Sequence, residues 1–115
     1  KNDTMPLVKT ETSMKETLLT MSSKGFGIAA IVDESGCLVG VITDGDLRRH
    51  IDDLMSRNAG DIASLSPITV VEETFVVDAL NLMQERKISV LIVTSNNNKP
   101  VGIIHIQDLL RAGVA

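Results

Sequence analysis

Aromatic residues are nearly absent from this sequence, which has no tryptophan, no tyrosine and only two phenylalanines among 115 residues. A core must therefore be built from aliphatic side chains and methionine, within a hydrophobic content of 43%. Single-stranded RNA is usually bound by stacking its bases on aromatic rings, and here almost none are present. A net charge of −4 and a pI near 5.0 also oppose the basic surface that nucleic acids require. We expect no nucleic-acid partner.

Long apolar runs and paired cysteines are also missing. The longest apolar stretch, residues 25–32, is far shorter than the roughly 20 residues that span a bilayer, so no membrane partner is expected. Cys37 is the only cysteine, which excludes an internal disulfide and favours a reducing, cytoplasmic location. No signal peptide or lipidation pattern is visible, and the first residue is lysine, so we expect a fragment of a longer chain.

An internal repeat organises the chain. A shift of 62 positions places residues 11–49 on residues 73–111 without a gap, and ten of these 39 pairs are identical. Roughly two or three identities would arise by chance from average composition. Because units of this size are seldom stable alone, the two copies should pack together. We expect a first repeat at residues 1–55, a linker at 56–66 and a second repeat at 67–115.

Each repeat predicts the order β-α-β-β-α. The first repeat predicts a short strand at 7–8, a helix at 13–23, a hairpin of 28–32 with 38–42 and a helix at 44–54. The second repeat predicts the same elements at 69–71, 75–86, 90–93 with 101–104, and 106–111. The long helices carry apolar stripes at i, i+4, i+7 spacing: Met14, Leu18, Met21 and Val76, Leu80, Met83. Ser13 and Thr74 are the predicted N-caps and Gly113 a C-terminal cap. The predicted fold is α/β, with two repeats packed pseudo-symmetrically as one module.

A sequence motif at the end of each hairpin points to a ligand. It reads Gly-Val-Ile-Thr-Asp-Gly-Asp over residues 40–46 and Gly-Ile-Ile-His-Ile-Gln-Asp over residues 102–108. A strand that leads into a helix N-terminus favours an anion such as phosphate, with the Thr43 hydroxyl as a contact and Asp46 as an acceptor for ribose hydroxyls. Alternatively, Thr43 or Asp44 caps the helix and Asp46 complements its dipole. The recurrence of the aspartate as Asp108 favours nucleotide binding.

These motifs resemble those of paired CBS domains, also called Bateman modules. The hydrophobic-Gly-x-x-Thr-x-x-Asp element matches at Gly40, Thr43 and Asp46, and the entry strand matches at residues 67–70 and more weakly at 6–8. The resemblance implies β-α-β-β-α units that bind adenosine nucleotides and regulate attached enzymes. The second motif departs from the family pattern, because His105 stands where the motif has threonine.

Residues 43–49 and 108–113 further resemble the C-terminal CBS pair of bacterial D-arabinose-5-phosphate isomerases. This resemblance implies a sugar-isomerase domain upstream, a role in making the lipopolysaccharide sugar Kdo, and no required cofactor. It implies as ligand an adenine nucleotide or the sugar nucleotide CMP-Kdo. The expected ligand-binding residues are Thr43, Asp44, Asp46, Arg48, Arg49, Thr69, His105, Asp108 and Arg111. The alternative function is a structural dimerisation module whose ligand site is vestigial.

No catalytic or metal-binding constellation is predicted within the chain. His50 and His105 occupy non-equivalent positions without further metal ligands at a suitable spacing, and Cys37 has no neighbouring base. Asp44 and Asp46 are two positions apart, which separates them on a helix and makes a poor acid–base pair. A stripe on the predicted helix at 44–54 predicts a homodimer or a higher oligomer. The residues of that stripe are Leu47, Ile51, Leu54 and Met55.

Overall fold

The computed structural model describes residues 5–24, 27–65 and 67–111, and it contains two units of the same order. The first unit consists of β1 (Leu7–Val8), α1 (Met14–Lys24), β2 (Ile28–Val32), β3 (Leu38–Thr43) and α2 (Asp44–Arg49). A 3-10 helix (Leu54–Ser56) and α3 (Ala59–Ile62) follow. The second unit consists of β4 (Thr69–Val71), α4 (Val76–Arg86), β5 (Val90–Thr94), β6 (Pro100–His105) and α5 (Ile106–Arg111). The predicted order β-α-β-β-α is confirmed in both repeats.

Each unit forms its own three-stranded sheet, in the order β1-β2-β3 and β4-β5-β6. The first two strands of each sheet are parallel and joined by a helix, whereas the last two form an antiparallel hairpin. Ile28 lies opposite Thr43 in the first hairpin, and Val90 lies opposite His105 in the second. The start of each central strand therefore lies beside the end of the strand that carries the motif.

Strand β2 is buried on both faces, as its continuous apolar sequence predicts. Because side chains alternate along a strand, Ala29 and Ile31 join the core beneath the helices of the first unit. Ile28 and Ala30 point the other way and pack in a second core with Ile92 of the opposite sheet. The two sheets thus face each other across an aliphatic layer, as predicted from the repeat.

Hydrogen bonds between the hairpins add to this apolar contact. The amide of Leu38 donates to the carbonyl of Asn98 at 2.8 Å, and Nδ2 of Asn98 donates to the carbonyl of Leu38 at 3.0 Å. The Cys37 thiol donates to the carbonyl of Asn97 at 3.4 Å. Asn98 has a φ of 62°, a left-handed conformation that asparagine tolerates better than most residues. The second turn is therefore fixed against the start of β3.

Helix α2 is shorter than the predicted 44–54, and it ends at Arg49 with His50 as its C-cap. The amides of His50 and Ile51 donate to carbonyls only three residues back, at 3.3 and 3.4 Å, which tightens the chain. This turn carries Leu54 into the core of the first unit, where it is 7% exposed. Ile51 and Met55 remain 66% and 61% exposed, so the prediction of one continuous helical stripe is wrong.

The predictions for the long helices are confirmed in part. The amide of Glu16 donates to Oγ of Ser13 at 3.2 Å, as the predicted cap of α1 requires. Thr74 is not the cap of α4, because that helix begins one residue later, with Phe75 at the N-cap. Val76, which was predicted to be buried, is 49% exposed. Ala79 is buried instead, next to the correctly predicted Leu80 and Met83. The predicted cap Gly113 lies outside the described residues.

The segment between the units pairs with the outer edge of β3. Ser64 and Val41 exchange two backbone hydrogen bonds of 2.9 and 3.0 Å. A Cβ atom on Gly40 would lie 3.0 Å from the carbonyl oxygen of Ser64, so glycine is what permits this close approach. This segment begins with the short helix α3 (Ala59–Ile62).

The helices within the described ranges are too short and too polar to cross a membrane.

Candidate functional site

Two adjacent cavities lie where the ends of the two sheets meet, and together they form what we call the cleft. The polar cavity has a volume of about 520 Å³, and the apolar cavity has a volume of about 240 Å³. Polar residues that line the polar cavity are Thr43, Asp44, Arg48, Lys87, Ser89 and His105. Residues that line the apolar cavity include Ile28, Val41, Ser64, Pro67, Ile68 and Ile92. Thr43, Ile88 and Val90 line both, so the two cavities are adjacent.

Thr43 stands at the junction and caps helix α2. Its backbone is extended, with φ −117° and ψ 172°, as is typical of an N-cap. Oδ2 of Asp46 accepts from the Thr43 amide at 2.9 Å and from its hydroxyl at 3.2 Å, and the Asp46 amide points back at the hydroxyl at 3.5 Å. This reciprocal arrangement is a capping box, and it holds the Thr43 side chain at the edge of the cleft.

Asp46 itself is buried, with 2% of its surface exposed. Its second oxygen, Oδ1, accepts from the hydroxyl of Ser64 at 3.2 Å and from the guanidinium of Arg49. Asp46 is not among the residues that line either cavity. Both carboxylate oxygens are thus used inside the protein, so a ribose hydroxyl reaches Asp46 only by displacing one of these donors.

The second copy of the motif is built differently. Asp108 has an exposed side chain, and its Oδ1 accepts from Nη2 of Arg111 at 2.6 Å. His105 occupies the position of Thr43, and the amide of Ile106 donates to the carbonyl of Ser89 at 2.9 Å. The two aspartates are therefore equivalent in sequence but not in surroundings.

Two cationic residues from different units line the polar cavity. Arg48 comes from α2 and Lys87 follows α4, and both are exposed. Among the described residues no carboxylate forms an ion pair with either one. Asp44 is the acidic residue of the cavity, and a Cβ atom on Gly27 would lie 3.4 Å from its Oδ2. Positive charge from both units therefore faces one cavity.

The structure brings four of the nine predicted ligand-binding residues into the cleft: Thr43, Asp44, Arg48 and His105. The other five line neither cavity: Asp46, Arg49, Thr69, Asp108 and Arg111. Sequence reasoning missed Lys87 and Ser89. The predicted hairpin could have identified them, because antiparallel pairing places the residues before β5 next to His105 at the end of β6. Within residues 5–24, 27–65 and 67–111 there is no cluster of three or more His, Cys, Asp or Glu arranged for a metal.

The chain is similar to curated proteins over nearly its whole length. It is 40% identical to an uncharacterized protein of Rickettsia prowazekii, over 98% of this chain and 35% of that protein. It is 38% identical to arabinose 5-phosphate isomerase KdsD of Pseudomonas aeruginosa, over 96% of this chain and 35% of that enzyme. The chain therefore spans about a third of the length of these relatives.

Solved structures with the same architecture include proteins that hold nucleosides or nucleotides. CBSX2 of Arabidopsis thaliana, solved in complex with AMP, is 28% identical with a TM-score of 0.81, and the match covers 96% of this chain and 87% of that one. The CBS domain pair of protein MJ0100, in complex with 5′-methylthioadenosine and S-adenosyl-L-methionine, is 25% identical with a TM-score of 0.85, covering 95% and 87%.

The family model of the CBS domain matches the chain twice, over residues 2–58 and 59–115. These two matches account for the internal repeat, the two similar sheets and the motif at the end of each hairpin. The chain belongs to the CBS domain family and consists of a pair of these domains.

Proposed function

We propose that the cleft binds a nucleotide and that the CBS pair thereby regulates an arabinose-5-phosphate isomerase to which it is joined. The adjacency of an apolar and a polar cavity carries this proposal. A nucleotide has the same division, since its base is largely apolar on both faces and its phosphate is anionic. Ligand pockets in proteins are commonly apolar with a few placed polar groups.

The base fits best in the apolar cavity between the sheets. Ile28 and Ile92 approach it from opposite sheets, and Pro67 and Ile68 close it from the segment that enters β4. The phosphate then lies in the polar cavity, within reach of the Thr43 hydroxyl and the Arg48 guanidinium. AMP bound to the related CBSX2 supports an adenine nucleotide. The isomerase relationship equally supports the sugar nucleotide CMP-Kdo, whose carboxylate would take a further arginine.

The remaining predicted residues take roles that follow from their positions. Asp46 positions Thr43 through the capping box, and it binds a ribose once Ser64 or Arg49 releases Oδ1. Arg49 and Arg111 reach a sugar-acid carboxylate only by leaving the aspartate three positions earlier in the sequence. Asp44 and His105 border the polar cavity and act on the anionic part of the ligand. Thr69 and Asp108 would belong to a second site related by the repeat.

The regulated enzyme is proposed from the curated relatives. KdsD of Pseudomonas aeruginosa is an arabinose 5-phosphate isomerase of which this chain matches 35%. An isomerase domain in the remainder of a parent chain would place the module in Kdo formation for lipopolysaccharide, in the cytoplasm. The nucleotide then acts as an effector, and the substrate is bound elsewhere.

Arg48 provides the sharpest test of the binding site. Calorimetric titration of the chain with AMP, ATP and CMP should detect binding of at least one, and Arg48→Ala should weaken it about tenfold through loss of a charge-assisted hydrogen bond. Arg57→Ala is the matched control, because Arg57 is exposed and paired with Asp53 at 2.8 Å outside the cleft. In a parent isomerase, the nucleotide should change activity in the wild type, and Arg48→Ala should require about tenfold more nucleotide for the same change.

A structural dimerisation module is the second candidate function. The exposed side chains of Ile51 and Met55, which follow α2, favour it because a small module rarely leaves such apolar surface uncovered. Failure of all three nucleotides to bind at millimolar concentration would reject the regulatory proposal and leave this second one.

A further inference from the structure

Lys87 occupies a position where helices normally place glycine. Helix α4 ends in a Schellman motif, in which the amide of Ile88 donates to the carbonyl of Met83 at 3.0 Å and the amide of Lys87 donates to that of Gln84 at 3.3 Å. Lys87 has φ 58° and ψ 44°, which is left-handed backbone. A side chain with a Cβ atom is strained in this conformation, whereas glycine is not. Folding alone would therefore favour glycine here.

The internal repeat supplies the comparison. Position 25 corresponds to Lys87 under the shift of 62, and there the sequence has glycine. Position 110 corresponds to Arg48, and there the sequence has leucine. Each unit thus contributes one cation that its repeat lacks, and Arg48 and Lys87 line the same polar cavity. Unfavourable backbone retained at such a place is typical of a functional position.

The two cationic side chains reach the polar cavity from different units, and one carboxylate, that of Asp44, lies beside them. Arg48, from the first unit, can bind the phosphate next to the nucleoside, and the Thr43 hydroxyl can join it by turning its proton away from Asp46. Lys87 enters the cavity from the second unit, so it is available to a group further along the ligand. A cavity of about 520 Å³ has room for such a group.

We propose that Lys87 selects ligands with a second anionic group beyond the first phosphate, such as a nucleoside diphosphate or a phosphate followed by a carboxylate. This inference rests on the nucleotide binding proposed above. It goes further by assigning Lys87 as a specificity-determining residue, retained at the expense of backbone strain. A lysine suits this role because its ammonium group binds anions as a point charge.

Lys87→Gly separates binding from folding, because glycine removes the charge and also relieves the left-handed backbone. The probes are AMP with ADP and CMP with CDP, titrated by calorimetry into the wild type, Lys87→Gly and Lys87→Arg. We expect the diphosphate of the preferred base to bind about tenfold more tightly than its monophosphate, and Lys87→Gly to abolish that preference while its Tm is equal or higher. Lys87→Arg should retain most of the preference. Lys15→Ala, which removes an exposed charge on α1, should leave it unchanged.

The titrations distinguish failure of the role of Lys87 from failure of nucleotide binding. Equal weakening of monophosphate and diphosphate by Lys87→Gly, or a wild type that binds them equally, would overturn the role of Lys87 and leave nucleotide binding intact. No binding of any of the four nucleotides would overturn the proposed function, and this inference with it. A loss of diphosphate binding accompanied by a lowered Tm would show that Lys87 has a structural role, which also contradicts the proposal.

Discussion

The hydroxyl of Ser64 donates a hydrogen bond of 3.2 Å to Oδ1 of Asp46, 18 positions earlier in the sequence. Ser64 belongs to the segment between α3 and β4, and it also lines the apolar cavity. Asp46 holds the cap of α2 through Thr43, which lines both cavities. The connecting segment, the cap and the cleft are therefore joined by a short chain of hydrogen bonds. A ligand in the apolar cavity would lie against both ends of this chain, Ser64 and Thr43.

Replacing Asp46 should be far more destabilising than replacing Asp108. Asp46→Ala removes the capping box and leaves the donors around a buried carboxylate unpaired, at a cost of about 1–3 kcal/mol. Asp108→Ala removes one exposed ion pair with Arg111, for which we expect less than about 1 kcal/mol. Urea denaturation of the two variants measures the difference. Equal losses would contradict the asymmetry of the two motifs.

The ribose role of Asp46 can be separated from its structural role by changing the ligand. AMP and 3′-deoxy-AMP differ by one hydroxyl, so their affinity ratio reports contact with the ribose. If Asp46 binds the ribose, Ser64→Ala should increase that ratio, because it frees Oδ1 from a competing donor. Calorimetric titration of wild type and Ser64→Ala with both nucleotides provides the measurement. A ratio near one in both proteins would assign Asp46 to positioning Thr43 alone.

Local sequence patterns were sufficient to predict most elements of the fold. The apolar run of β2 and the turn that follows it predict a buried hairpin strand from residues that are adjacent in the sequence. The end of α2 could not be predicted in this way, since Leu54 continues a helical spacing in the sequence. Its burial against the first unit outweighs local helix propensity, and that packing is visible only in three dimensions.

The candidate site was less predictable than the fold. Thr43 and Arg48 follow from the motif, because its strand and helix are adjacent in sequence. The hydrogen bond from Ser64 to Asp46 joins residues 18 positions apart, and Lys87 lies beside the same cavity as Arg48 only because the two sheets face each other. Neither relationship is local. Helices usually end in glycine when the backbone is left-handed, so the sequence of the second repeat alone does not indicate that Lys87 has this conformation. Comparison of the two repeats does indicate the position, because residue 25 is glycine.

Self-association through the exposed residues after α2 is the next prediction. Ile51 and Met55 are 66% and 61% exposed, and we expect two copies to bury them around a two-fold axis. Sedimentation at high micromolar concentration should give twice the monomer mass of 12.4 kDa. The double variant Ile51→Ser, Met55→Ser should sediment as a monomer. Leu19→Ser, at an equally exposed position on α1, should remain dimeric, and a monomeric wild type would reject the prediction.

Gly40 and Gly102 form a matched pair that tests how the connecting segment is held against β3. A Cβ atom at position 40 would lie 3.0 Å from the Ser64 carbonyl oxygen, and the two backbone hydrogen bonds between Ser64 and Val41 leave that carbonyl little room to move. At position 102 the atom would meet only Cβ of Val93, at 3.8 Å, among the described residues. Gly40→Ala should therefore cost about 1–3 kcal/mol and weaken nucleotide binding, since Ser64 lines the apolar cavity. Gly102→Ala should be neutral or stabilising by up to about 1 kcal/mol, because alanine restricts the unfolded chain. Similar denaturation midpoints for the two variants would show that the segment does not require the close approach at Gly40.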